Sequence, residues 1–445
     1  MFTAGRFEKI CLSRQAKPGF PPLSLHPTFF FVQLISSEKP ARHASLLSAA
    51  VVVAALGYFV DIYDLVLFSI VRVPSLKALG IVDAAILDQG VLLLNMQMAG
   101  MLVGGILWGI LGDKRGRLTV LFGSILLYSL ANIANGFVQE LWQYAALRLI
   151  AGIGLAGELG AGITLVSEVL PKEKRGYGTM IVATVGVSGA MLAYWVGEQF
   201  GWRTAYFIGG GLGLALLILR VSVFESGMFE KAAAAAHIHR GDFLSLFSNK
   251  ERLQKYLKCI LMGIPLWFVV GILITFAPEF GRELGISGEV SAGKGVFWCY
   301  FGLVFGDFLT GWLSQRWRSR NRVMLVFLGL SAVLIVVYLF TLRGSTLSTV
   351  YAVCFALGLA SGYWAVFVTI AAEQFGTNVR ATVATTVPNF VRGSVVPMTL
   401  AFQALKGPLT LVGAAATLAA IVLLVAVWAV ATLPESYGKE LDYYE

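Results

Sequence analysis

Long apolar stretches alternate with short polar loops along the chain. They lie at about residues 47–71, 90–111, 118–138, 143–169, 179–198, 204–223, 256–277, 296–314, 323–342, 349–372, 382–403 and 409–432. A helix needs about 20 apolar residues to cross a hydrocarbon core of about 30 Å, so each stretch is read as one crossing. The pattern predicts an all-α integral membrane protein with twelve transmembrane helices. Between the sixth and seventh stretches a polar interruption at about 225–255 divides the chain into two six-span halves.

The halves look duplicated. Glu168 precedes Arg175 by seven residues after the fourth stretch, and Glu373 precedes Arg380 by seven after the tenth, an offset of 205. Gly109-Ile-Leu-Gly-Asp113 closes the second stretch and Gly311-Trp-Leu-Ser-Gln315 the eighth, an offset of 202. Paired repeats enclosing a midplane site are a transporter architecture. The expected organisation is a leader over 1–45, a six-helix bundle over 46–224, a cytoplasmic central loop over 225–255, a pseudo-symmetric six-helix bundle over 256–433 and a cytoplasmic tail over 434–445. The leader is polar, basic and interrupted by Pro18, Pro21, Pro22, Pro27 and Pro40. Its one apolar run is too short to cross and no small-residue cleavage site follows, so it reads as a disordered cytoplasmic segment rather than a secretory signal.

Composition narrows the function. The chain is 57% hydrophobic and 13% charged, about half the roughly 25% charge of a soluble domain, which excludes a water-soluble enzyme. The net charge of +9 does not call for nucleic acid, because lysines and arginines sort by loop: 16 on one side, including Lys114, Arg115, Arg117, Arg175 and Arg380, against 7 on the other. The richer side is cytoplasmic by the positive-inside rule, together with both termini. All four histidines lie outside the apolar stretches, and the four cysteines have no metal-site or disulfide spacing. Chemistry inside the membrane must use carboxylates and arginines. No metal and no organic cofactor is expected, the proton gradient being the energy source.

Two nucleotide-like motifs are set aside. Gly152-Ile-Gly154-Leu-Ala-Gly157 lies within an apolar stretch, where small residues permit close helix packing. A near P-loop at 288–294 has Gly295 where Ser or Thr is required, and neither motif has strand–turn–helix context.

The loop Gly109-Ile-Leu-Gly-Asp113-Lys-Arg-Gly-Arg117 resembles the signature between the second and third spans of the major facilitator superfamily. The fourth stretch is similar to that of the branch containing sugar porters and metabolite:proton symporters, with Arg148, Gly157-Glu158, then Glu168, Pro171 and Arg175-Gly176. Gly201-Trp202-Arg203, Glu225-Ser226 and the Pro434-Glu435-Ser-Tyr tail extend the likeness over about 47–445. There are departures. The seventh stretch, with Pro265, Trp267 and Phe268, lacks the paired glutamines that similar sugar porters use for hexose, and the tenth lacks their Gly-Pro-x-x-Trp. Asp61-Ile-Tyr-Asp64 is closer to the pattern of metabolite and aromatic-acid symporters. The resemblance implies a monomeric secondary transporter in the plasma membrane, moving a small polar metabolite, an organic acid, by proton symport with alternating access. A sugar transporter or uniporter of the same fold is the alternative, and a transporter-like receptor is the alternative from another class. For an enzyme there is no nucleophile–base or metal constellation.

Each Asp at a helix centre costs about 2.5–3.5 kcal/mol on insertion scales, so Asp61 and Asp64 need something to offset them. They are three residues apart and are read as sharing a face. Asp64 lies roughly 25 Å from the cytoplasmic start of its span and Arg148, in the descending fourth span, roughly 22 Å above that face. An Asp64–Arg148 pair is therefore reachable, and the resemblance implies proton coupling there; the other reading is a fixed ion pair. Asp61 is a second titrating group or the partner of a polar neighbour. Glu158, about 15 Å nearer the cytoplasm than Arg148, is an inner proton site or a structural bond between helices.

In the second half, two readings stay open for Arg392. It anchors an anionic substrate, with Asn389 on the same face adding a hydrogen bond, or it forms a structural bridge with Asp307 at matching depth. Trp267, Tyr363, Trp364 and Phe367 line an amphipathic cavity or fill space, and Asn95 and Gln97 bond neighbouring helices or solute. The resemblance implies a cytoplasmic gate of Gly109, Asp113, Arg117, Glu168 and Arg175, echoed by Glu373 and Arg380.

Overall fold

The structure, a computed structural model, describes residues 49–439 apart from 116, 161, 163–165, 167–169, 171, 226–242, 244 and 377–378. The leader and much of the central loop lie outside the described residues. Those described belong to one compact unit, 44–445.

Among the described residues, eight helical runs are long and apolar enough to cross a membrane. Two of them are too long to cross once. Tyr177–Val221 has 45 residues and Thr382–Ala431 has 50, about 68 and 75 Å of helix against a core of about 30 Å. Each folds back at one residue, Gly201 at φ 73 and Thr410 at φ 64. Gly201 has no Cβ to clash there. Thr410 occupies a backbone region kept almost wholly for glycine, and its hydroxyl accepts from Gly413 N to cap the helix that follows. The shorter Arg117–Asn135 and the helix beginning at Leu141, which Glu140 and Gln143 cap reciprocally, supply the third and fourth spans. Twelve crossings result.

The expected boundaries shift in two places. The first span runs Ala49–Ala78 and carries Pro74 inside it, longer than the 47–71 stretch because its outer turns are amphipathic. The seventh begins with Lys250–Leu261, inside the expected central loop, because its first turns bury Tyr256 and Cys259 while their charges face outward.

Within the first half, the first span packs on the fifth and sixth, the second on the fourth, and the third on the fourth and sixth. In the second half the eighth packs on the tenth and the ninth on the tenth and twelfth, while the halves meet through the second and eleventh spans and through the fifth and eighth. Small residues set the approach. A Cβ at Gly152 would strike the Gln97 carbonyl, and one at Gly154 would press on Tyr128, so this motif serves helix packing.

Two spans of the second half are discontinuous. The seventh passes from Lys250–Leu261 to Ile264–Phe268, then through a π-helix, Val269–Ile274, to Ala277–Glu283. Pro265 and Pro278 lack the N–H that would continue a regular helix at each join. The tenth breaks between Leu347–Ser361 and Trp364–Glu373. Backbone groups freed in a membrane must be satisfied locally. Here the eighth span does so: Asp307 Oδ1 accepts from Ala365 N at 3.0 Å, and Thr310 Oγ1 donates to Gly362 O at 2.6 Å.

Asp307→Ala should therefore lower stability by about 1–2 kcal/mol, the usual loss for a helix cap, whereas Asp307→Asn keeps an acceptor and stays near wild type. Thermal unfolding of the purified protein in detergent measures both.

Candidate functional site

The first and eleventh spans run in the same direction from the side expected to be cytoplasmic. Asp61 is twelve residues beyond Ala49 and Arg392 twelve beyond Arg380, so both stand about 18 Å along their helices. They meet. Arg392 Nη2 lies 3.6 Å from Asp61 Oδ2, and both side chains are fully buried. The pair joins the two halves at mid-membrane. Arg392 also stands between two indoles, its guanidinium carbon 6.0 Å from the Trp267 ring centre and 5.6 Å from that of Trp364. None of its three nitrogens makes a hydrogen bond. The Trp267 and Trp364 ring nitrogens and the Tyr363 hydroxyl are also buried and unbonded. Phe367 lies beside Trp364 with ring centres 5.0 Å apart and planes tilted by 36°, and presses on Gly263 at the break in the seventh span.

This arrangement corrects the bridge expected between Arg392 and Asp307. The two match in depth, but Asp307 is held by the tenth-span backbone while Arg392 turns to the first span. Asn389 is not free to meet a substrate through its amide donors either. Its Nδ2 donates to Ala156 O at 2.7 Å and to Thr385 O at 2.8 Å, tying the eleventh span to the fourth. Asn95 accepts from Thr399 at 2.6 Å and Gln97 donates to Leu65 O at 3.1 Å, so both bond neighbouring helices.

Asp64 turns elsewhere. It lies inside the first half, its Oδ1 against the backbone of Gly209 in the sixth span. It is within electrostatic reach of Arg148, yet the expected ion pair is not closed within 4.0 Å. Arg148 sits 5.4 Å over Phe68 and 5.6 Å over Tyr206, and all its nitrogens lack hydrogen bonds. Glu158 is paired with Arg220 through two contacts, one of them Nη1 to Oε2 at 3.0 Å, with both residues about 1% exposed. Gly57 makes the space, since a Cβ there would collide with both partners.

Ionic ties join the two halves at the end where the first span finishes. Fully buried Arg72 reaches from the first span to Glu279 at 2.8 Å and Thr275 O at 3.2 Å on the seventh, with its charge over Phe276. Lys406 holds Asp88 at 2.5 Å. At the opposite end, Glu373 pairs with Arg320 at 3.0 Å and accepts from Ser436 at 2.7 Å. Arg380 donates to Ala372 O and Phe375 O, closing the end of the tenth span. Gly109 lies against Thr386. Glu168 and the side chains of Asp113, Arg117 and Arg175 lie outside the described residues. Glu435 accepts from Ser319 Oγ at 2.5 Å and Arg320 N at 2.9 Å, tying the tail to the start of the ninth span.

Sequence reasoning missed Arg220, Arg72, Glu279, Arg320 and Glu435 as site residues. Arg220 had a signal, a lone cation late in an apolar stretch. Arg72 had none, because a cation at a helix end looks like a topology anchor.

The profile described as Major Facilitator Superfamily matches residues 54–396. A putative metabolite transport protein of Haemophilus influenzae is 28% identical over 421 residues, covering 88% of this chain and 97% of that one. The 3-(3-hydroxy-phenyl)propionate transporter of Escherichia coli is 26% identical, covering 78% and 84%. The solved proton:xylose symporter XylE, bound to 6-bromo-6-deoxy-D-glucose, superposes with a TM-score of 0.66 over 88% of this chain and 97% of its own, at 15% identity.

Breaking a buried ion pair strands a charge and costs about 3–5 kcal/mol, whereas replacing both partners is far cheaper. Arg220→Leu should accordingly melt well below wild type, with Glu158→Leu/Arg220→Leu recovering most of the loss in a thermal double-mutant cycle. The backbone and hydroxyl donors around Glu435 hold its carboxyl below the usual carboxylate range against the opposing effect of partial burial. A depressed carboxyl contributes stability above its unfolded pKa and loses it as pH falls through the folded one. Carboxypeptidase trimming should stop before Glu435 at neutral pH and pass it only below the ordinary carboxylate range.

Proposed function

Because the chain belongs to the major facilitator superfamily and is a multi-pass membrane transporter of small molecules, not an enzyme, we propose that it carries an organic acid by proton symport, with Arg392 as the carboxylate anchor. The observation that carries this reading is the Arg392–Asp61 pair: a buried guanidinium at mid-membrane, between two indoles, with every nitrogen unbonded. A substrate carboxylate can offer two parallel charge-assisted hydrogen bonds, stronger than a single contact at 3.6 Å. The indoles suit a flat or unsaturated solute beside the cation, in keeping with the relative that carries a phenylpropionate.

Coupling follows from charge. When the substrate takes the guanidinium, Asp61 loses its counter-ion, and a carboxylate stranded in that surrounding is neutralised by a proton. Substrate and proton then load together. Asp64 and Arg148 are the second proton-coupling pair of the proposal, separated here and free to close in another state of the cycle. With the outer ties of Arg72 and Lys406 made, release is towards the cytoplasm, where both termini are placed by the positive-inside rule. Such ties need bias the alternating states by only a few kcal/mol. The same Arg392 site in a sugar carrier would leave a buried guanidinium facing neutral hydroxyls, which is why a sugar is the weaker reading.

In proteoliposomes, Asp61→Asn and Asp64→Asn should each abolish accumulation driven by a pH gradient while leaving solute exchange detectable. Unchanged proton uptake in both would reject coupling. Arg392→Ala should remove the thermal shift that carboxylates give the purified protein, and Arg392→Lys should restore it only in part, because an ammonium cannot make the bidentate contact. A panel of aromatic carboxylates, aliphatic carboxylates and pentoses identifies the class.

A further inference from the structure

The interior of the first half holds a second set of polar groups that the Arg392 site does not use. From the outer side inward these are Arg148, then Asp64 with Asn132, then Ser129 and Tyr128, then Glu158 with Arg220. All are buried. Both polar atoms of Asn132, the Ser129 and Tyr128 hydroxyls, both Asp64 oxygens and the three Arg148 nitrogens make no hydrogen bond. Nearby phenols differ: Tyr63 donates to Ala205 O at 2.9 Å, and Tyr144 and Tyr206 bond each other at 2.7 Å. Unbonded polar atoms of this kind are costly singly, and clustered they form the lining that ordered water needs.

The helix surfaces explain the alignment. Along the sixth span, Gly209 lies against Asp64, Gly213 one turn inward lies against the Ser129 hydroxyl and the Tyr128 ring, and Arg220 two turns further holds Glu158. Each missing Cβ leaves room for one polar side chain from the first or third span. Tyr128 is the hub, with Glu158, Asp64, Asp61 and Arg220 all within electrostatic reach of its hydroxyl. Asp64 is faced by Arg148 from the fourth span, by Asp61 and Tyr63 on its own span, by Tyr128 from the third and by Tyr206 from the sixth; Glu158 is faced by Arg220, Tyr128 and Asp61.

We propose that this file is a hydrated proton route through the first half, running from Asp64 by way of Asn132, Ser129 and the Tyr128 hydroxyl to Glu158, apart from the substrate route between the halves. The inference deepens the symport reading above and rests on it for its biological use. In the transfer, an O–H bond at Asp64 breaks and its proton passes to a water. Tyr128 accepts one proton at its oxygen and gives up its own to the next water, so the phenol ends neutral. The last proton forms an O–H bond at Glu158 as the contact with Arg220 opens. One proton moves and nothing is oxidised or reduced. Tyr128 is a relay residue and Arg220 a positioning residue that holds the terminal carboxylate until the proton arrives.

The test reads proton arrival without any transported solute. Purified protein in nanodiscs is acidified by stopped flow and followed by infrared, with the Glu158 carboxyl band assigned by its absence in Glu158→Gln. The band should grow on acidification, and in Tyr128→Phe it should reach the same amplitude about a hundredfold more slowly, the lower range for loss of a proton-transfer group. A band that never grows, or grows at the wild-type rate in Tyr128→Phe, overturns the route. X-ray radiolytic labelling of the wild type in heavy-oxygen water gives a check that needs no variant: Tyr128 should be labelled despite its burial, and an unlabelled Tyr128 overturns a hydrated file. Solute-induced proton uptake in liposomes tests symport separately, so failure of one reading is distinguishable from failure of the other.

Discussion

The structure turns on one ion pair placed where water is scarce. Asp61 and Arg392 belong to different halves and meet at mid-membrane at 3.6 Å, close enough to cancel charge and too loose to hold each other permanently. Removing either charge leaves the other in a medium where an isolated ion is expensive. In the proposed symport, a ligand that competes for the guanidinium also changes the protonation demand on the aspartate, and it does so at the seam between the halves.

The surrounding elements make that seam possible. The seventh and tenth spans are broken near the site, and their freed backbone groups are partly met by Asp307 and Thr310 of the eighth. The breaks bring Trp267 and Trp364 beside Arg392 without leaving polar backbone exposed to lipid. On one side of the pair, Arg72 and Lys406 tie the halves; on the other, Asn389 ties the eleventh span to the carbonyl of Ala156. Within the first half a separate line of unbonded polar groups ends at the Glu158–Arg220 pair, sheltered by glycines. In the proposed cycle, substrate recognition and proton movement draw on neighbouring but distinct parts of the fold.

Glycine does two different jobs here. At Gly152, Gly302 and Gly358 the lost Cβ lets one helix backbone lie on another, which fixes the scaffold. At Gly57 and Gly209 it makes room for charged side chains, which no apolar packing argument would place there. A glycine pattern read from sequence does not separate these roles, because both need only the absence of a side chain.

The order of amino acids was enough to settle the membrane class, the twelve crossings and the duplication, since apolar length and the spacing of repeated motifs are local quantities. It also exposed Asp61, Asp64, Arg148, Glu158, Asp307 and Arg392 as buried charges, because a charge inside an apolar stretch stands out at once. Their partners depended on how the helices pack. Asp61 and Asp64, three residues apart, differ by about 60° around the helix, enough to send one to Arg392 in the other half and the other to Gly209 in its own. Depth counted along a span gives height but not azimuth, so it matched Asp307 with Arg392 while the fold used Asp307 as a cap. Arg72 and Arg220 were settled in the same way: whether a cation near a helix end meets water, lipid or a carboxylate depends on which helix packs beside it.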